Sequence, residues 1–83
     1  MKPAVLTAAI LEILTERAGE PVPERYILLA LSVEYRIKVT FSELRDRLSK
    51  LDETKHIIGV RSRDEMIVWG ISDLGKAWLA ELR

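Results

Sequence analysis

The side chains with most to offer chemically in this sequence are cationic. Of its 13 Lys and Arg residues, eight fall between residues 35 and 63: Arg36, Lys38, Arg45, Arg47, Lys50, Lys55, Arg61 and Arg63. Only four carboxylates share that stretch (Glu43, Asp46, Asp52 and Glu53), so it carries +4. Residues 1–34 hold three basic and five acidic side chains and residues 64–83 two and four, so each flank carries −2 and the whole chain zero. Ammonium and guanidinium groups gathered in this way can neutralise a phosphate backbone. A zero total, on the other hand, gives no broad attraction to nucleic acid, and a charged surface must place its lysines somewhere.

Catalytic chemistry has no comparable support. Glu12 with Glu16, and Asp52 with Glu53, read as solvated helix charges, and Asp64 and Glu65 as turn residues. Gly59, Gly70 and Gly75 make no phosphate-binding loop, since Gly-x-x-x-x-Gly-Lys is absent. There is no cysteine, and the lone His56 cannot form a histidine cluster. It is expected at the end of a helix, where the dipole favours a cation. No enzyme activity, metal or cofactor is expected.

At 83 residues and 48% apolar composition the sequence reads as one domain over residues 1–83, with a small core. Cores of this size rarely supply more than about 3 to 5 kcal/mol, and without disulfide or metal a partner subunit is the remaining reinforcement. Lys2 followed by the apolar run Ala4 to Leu14 has the outline of a signal peptide, but Glu12 interrupts it. No run approaches the roughly 20 apolar residues of a membrane span. The segment is therefore read as a structural helix, no membrane contact is expected, and the expected location is cytoplasmic.

These groups must be positioned by a handful of short elements. The first helix is expected from about Pro3 to Ala18, with Pro3 in the first turn and Gly19 just past the end. Val5, Leu6, Ala9, Ile10, Leu11, Ile13 and Leu14 cover about 240° of its circumference, more than one small core requires. Either the helix meets a second surface as well, or it lies deep among the other helices. Glu20-Pro21-Val22-Pro23 is read as a turn, and a second helix follows from Pro23 through Ile27, Leu28, Leu31 and Tyr35.

Thr40-Phe41-Ser42-Glu43 fits a capping box, with Val39 and Leu44 as a hydrophobic staple. Phe41, Leu44, Leu48 and Leu51 then give the third helix, running to Asp52, one apolar stripe facing the core. Ser42, Asp46, Ser49, Lys50 and Glu53 lie outward, with Arg45 and Arg47 on opposite flanks. A hairpin from His56 to Ile71 turns at Ser62-Arg63-Asp64-Glu65. Ser72 should cap a last helix that packs Leu74, Ala77, Trp78 and Leu82 on the first.

Helix, helix, helix, hairpin, helix resembles the winged helix-turn-helix superfamily, a mainly α fold of a three-helix core, a wing hairpin and a C-terminal helix. Ile71-Ser72-Asp73-Leu74-Gly75-Lys76-Ala77 is similar to the junction after the wing in MarR-like and PadR-like regulators: an aliphatic residue, Ser or Thr, two variable positions, Gly, then a basic residue. The resemblance implies double-stranded DNA as partner, with the third helix in the major groove and the wing on the backbone. By position, Ser42, Arg45, Ser49 and Lys50 would belong to the recognition helix and Arg61 and Arg63 to the wing, with Lys55, Arg61 and Arg63 on phosphates. Asp46 departs from this, because a carboxylate facing the groove repels phosphate unless it accepts from a base such as cytosine.

The expected function is therefore a small DNA-binding regulator or nucleoprotein accessory factor. The alternative is a winged helix that contacts proteins in a phage or replication assembly without DNA, which suits the zero net charge. A homodimer is expected through Leu6, Ile10, Leu11 and Leu14 of the first helix, with help from Trp78.

Overall fold

A computed structural model describes residues 2–17, 20–64 and 66–82. Its elements are α1 (Pro3–Glu16), β1 (Val22–Pro23), α2 (Glu24–Glu34), α3 (Phe41–Glu53), β2 (Ile57–Arg61), β3 (Ile67–Ile71) and α4 (Asp73–Leu82). The strands form an antiparallel sheet in the order β1-β3-β2.

α1 starts with Pro3, whose missing N–H would have been unpaired in a first turn anyway, and runs to Glu16. The expected stop at Ala18 and Gly19 lies outside the described residues. α1 packs against α2, α4 and β3 at once, which accounts for its wide apolar arc. Ile10, Leu11, Ile13 and Leu14 are at most 1% exposed, and Leu6 and Ala9 are also buried. The reading of Leu6, Ile10, Leu11 and Leu14 as a surface for a second copy is thereby corrected: these side chains fill the chain's own core. Trp78 is half-buried against the same core.

α2 follows directly on Pro23, which cannot donate the N–H that a helix interior would require of it. Ile27, Ala30 and Leu31 face α1, and at the helix end the Tyr35 hydroxyl donates to Glu12 Oε2 at 3.0 Å. The Thr40 capping box is complete. The Glu43 amide donates to Thr40 Oγ1 and the Thr40 amide to Glu43 Oε1, each at 3.1 Å. Two donors that helix geometry leaves unpaired are thus satisfied, and α3 starts where its sequence says it should.

Leu44, Leu48 and Leu51 are buried as expected, but Phe41 is 45% exposed. It is the first residue of α3, and a helical side chain covers the surface one turn N-terminal to its own Cα. There Phe41 overhangs the entry to the helix instead of entering the core.

The Pro21-Val22-Pro23 turn proves to include a strand. Val22 pairs with Trp69 and is buried. The prolines flank it at positions that point away from β3, the one place in a sheet where a missing N–H costs nothing. Within the hairpin, Gly59 lies opposite Trp69, and a Cβ there would come within 2.7 Å of the indole ring. The ring lies across the neighbouring strand in space that only glycine leaves.

α4 is rotated from its expected setting. Gly75 and Leu79 turn inward with Trp78 half-buried, while Leu74 and Leu82 are 50% and 56% exposed and Ala77 is also exposed.

Leu48→Ala should destabilise the fold by about 2 to 5 kcal/mol, whereas Phe41→Ala should cost less than about 1 kcal/mol, as read from urea unfolding midpoints. The Tyr35 phenol, pushed up to about 12 chiefly by burial and then by its bond to Glu12, adds an alkaline dependence. Its stabilisation is intact below its ordinary value of 10.0 and is lost as pH rises from there through about 12. Tyr35→Phe should flatten that decline in a series of unfolding midpoints against pH.

Candidate nucleic-acid interface

Three short segments meet where the cations concentrate: the exposed face of α3, the turn after it, and the wing. Ser42, Asp46, Ser49, Lys50 and Glu53 line the outer face of α3, as their spacing from the buried leucines requires. Asp46 Oδ2 lies 3.7 Å from Lys50 Nζ one turn on, a weak exposed pair that partly offsets the lysine. Arg45 is held elsewhere: its Nε donates to Glu24 Oε2 at 2.9 Å, tying α3 to the first turn of α2. Arg47 is half-buried on the opposite flank, and its Nε has no hydrogen-bond partner among the described residues.

The turn after α3 is built by backbone geometry and one serine. Lys55 takes φ 67°, the left-handed conformation that ends a helix, and its amide donates to the Asp52 carbonyl at 3.1 Å. Ser72 then clamps this turn from the far side of the hairpin. Its hydroxyl donates to the Lys55 carbonyl at 2.5 Å, its amide to the His56 carbonyl at 3.1 Å, and its oxygen accepts the Gly75 amide at 3.1 Å. At Gly75 α4 comes so close that an added Cβ would lie 2.2 Å from the His56 carbonyl oxygen. That approach sets the rotation of α4. His56 also meets Thr54 Oγ1 at 2.6 Å through Nδ1 and the Trp78 ring edge-on at 6.4 Å. It is a structural residue of the junction.

Lys55, Arg61 and Arg63 are exposed and make no ion pair with the described residues, so these three cations are available to an outside partner. The channel between α3 and the wing has a different character. Arg45 and Ser49 share it with Asp52, Glu53, Met66 and Ile67. It also takes in Arg25, exposed near the start of α2. Sequence reading did not single out Arg25, although its place in a first helical turn beside the Glu24 that binds Arg45 was the available signal. The cationic region is the outer rim of α3 and the wing, and the channel between them is mixed.

No described helix is long and apolar enough to cross a membrane. A scan against protein-family profiles and a search of curated proteins each find no match. Solved structures do match. A PadR-like transcription factor from Bacteroides fragilis superposes with TM-score 0.77 at 23% identity, over 96% of this chain and 78% of that one. The fold is a winged helix. RosR of H. salinarum matches with TM-score 0.79 at 17% identity over 92% of this chain and 66% of that one. Bacillus subtilis PadR, solved in complex with operator DNA, matches with TM-score 0.77 at 20% identity over 94% of this chain. This chain spans 45% of that protein's length. In this fold α3 is the third helix and β2-β3 the wing hairpin; Ser42, Ser49 and Lys50 share the exposed face of α3, whereas Arg45 is drawn to its α2 side.

The winged-helix junction supplies its own test. Gly75→Ala should destabilise the protein by about 1 to 3 kcal/mol, even though alanine is the better helix former by about 1 kcal/mol, because the clash is with backbone. Thermal unfolding followed by circular dichroism measures it.

Proposed function

We propose that this chain is a transcriptional regulator that binds double-stranded DNA from the cytoplasm. α3 enters the major groove with Ser42, Ser49 and Lys50 toward base edges, while Lys55, Arg61 and Arg63 neutralise phosphates on either side. Arg45 reaches the backbone from the flank, where Glu24 orients it. The observation that carries this reading is the polar, exposed face of α3 beside wing cations that make no ion pair among the described residues, in the fold of a protein solved on its operator. Asp46 opposes it, and its pairing with Lys50 limits how far that lysine can serve a phosphate.

The mixed channel favours a second reading, a winged helix used for protein contacts. Asp52 and Glu53 face Met66 and Ile67 there, and a groove with both signs of charge and apolar walls suits a protein better than a duplex.

Salt titration of binding to mixed duplex DNA separates the two. Under the DNA reading, Arg61→Ala and Arg63→Ala each weaken binding to all sequences alike and lower the slope of log K against log salt by about 1. Asp46→Asn should strengthen nonspecific binding, since it removes a repelling carboxylate and releases Lys50. No binding by the parent at low salt, and none gained by Asp46→Asn, would leave the protein-contact reading.

A further inference from the structure

The two edges of the sheet are treated differently. On β1 the outward positions are Pro21 and Pro23, so that edge offers no N–H from either and is closed to another strand. On β2 the hydrogen-bond phase is set by its two ends. Ser62 donates to the Met66 carbonyl at 2.8 Å and Ser72 to the His56 carbonyl at 3.1 Å. Alternation then turns Ile58 and Val60 toward β3 and leaves the amides and carbonyls of Ile57, Gly59 and Arg61 pointing away from the sheet. Ile57 is 1% exposed, so its outward groups are covered, but Gly59 and Arg61 are exposed. Ile58 and Val60, 54% and 51% exposed, stand on the outer sheet face beside them.

We propose that this edge is a self-association surface, on which a second copy of the chain adds its own β2, antiparallel, across a two-fold axis at Val60. In that register Gly59 faces the second copy's Arg61 and exchanges two backbone hydrogen bonds with it, and the symmetry repeats the exchange. The free groups on one copy are thus the complement of those on the other. Val60 meets Val60 in the close, non-hydrogen-bonded position, where β-branched pairs are favourable. Glycine opposite arginine leaves the long side chain unobstructed.

The neighbouring registers fail for stated reasons. An axis at Gly59 would require the covered groups of Ile57, and an axis at Arg61 would set two arginines directly opposite each other. A second copy is the occupant because the same five residues supply both halves of the pairing. Two short strands bury less than the roughly 1,200 Å² of a stable interface, so the dimer should be weak and concentration-dependent. It requires no DNA, and its test is independent of DNA binding.

The chain has no cysteine, which allows a single-site probe. Across the axis the two Val60 Cα atoms would lie about 4.5 Å apart, within the disulfide range of roughly 4.4 to 6.8 Å. In air without DNA, Val60→Cys should form the disulfide-linked dimer at least about tenfold faster than Val33→Cys, whose site on α2 is 68% exposed. In sedimentation equilibrium at about 500 μM the parent should show dimer and Val60→Lys only monomer, with unchanged melting temperature. Equal cross-linking rates overturn the proposal. So does a dimer that persists in Val60→Lys, since it must then use another surface.

Discussion

The fold turns on the contact between Ser72, Gly75 and the carbonyls of Lys55 and His56. One hydroxyl caps α4 and bonds the turn that ends α3, while the missing Cβ of Gly75, three residues later, lets α4 rest on that turn. Four elements separated by up to twenty residues are thereby held at one point. The register of the wing, the rotation of α4 and the direction in which α3 projects all follow from it. The Ile-Ser-x-x-Gly pattern shared with winged helices therefore has a physical content: serine because one side chain must both donate and accept, glycine because a backbone carbonyl occupies the place of a side chain.

Around that point the core is organised by α1. Because it is packed by α2, α4 and β3 together, its apolar residues are used almost all the way round, with Val5 near its start left exposed, and most of the exposed apolar surface lies elsewhere. Val33 and Leu29 on α2, Leu82 and Leu74 on α4, and Ile58, Val60 and Ile67 on the wing are the exposed large aliphatics outside α1. Exposed apolar surface for association therefore lies on the sheet, α2 and α4, and the α1 leucines and Ile10 that suggested it are internal.

Electrostatics divides the candidate interface in the same way. Arg45 and Lys50 are partly committed to Glu24 and Asp46, whereas Lys55, Arg61 and Arg63 make no ion pair among the described residues. A duplex would therefore feel the rim of the site more than its centre, which is consistent with a protein whose total charge is zero.

What could be read from sequence alone were features settled within a few residues. The Thr40–Glu43 box, the Pro3 start, the Ser72 cap and the hairpin with its polar turn depend on neighbours along the chain, and all were legible there. So was the outward face of α3, because helical periodicity places Ser42, Ser49 and Lys50 opposite the leucines. Tertiary structure decided what distant atoms control. Val22 became a strand only because Trp69 came alongside, Phe41 stayed out of the core because nothing in it lies over the entry to α3, and Arg45 was drawn to Glu24, 21 residues away. The rotation of α4 rested on a carbonyl at His56. Local chemistry chose the elements, and the contacts between them chose which faces and which charges remained for a partner.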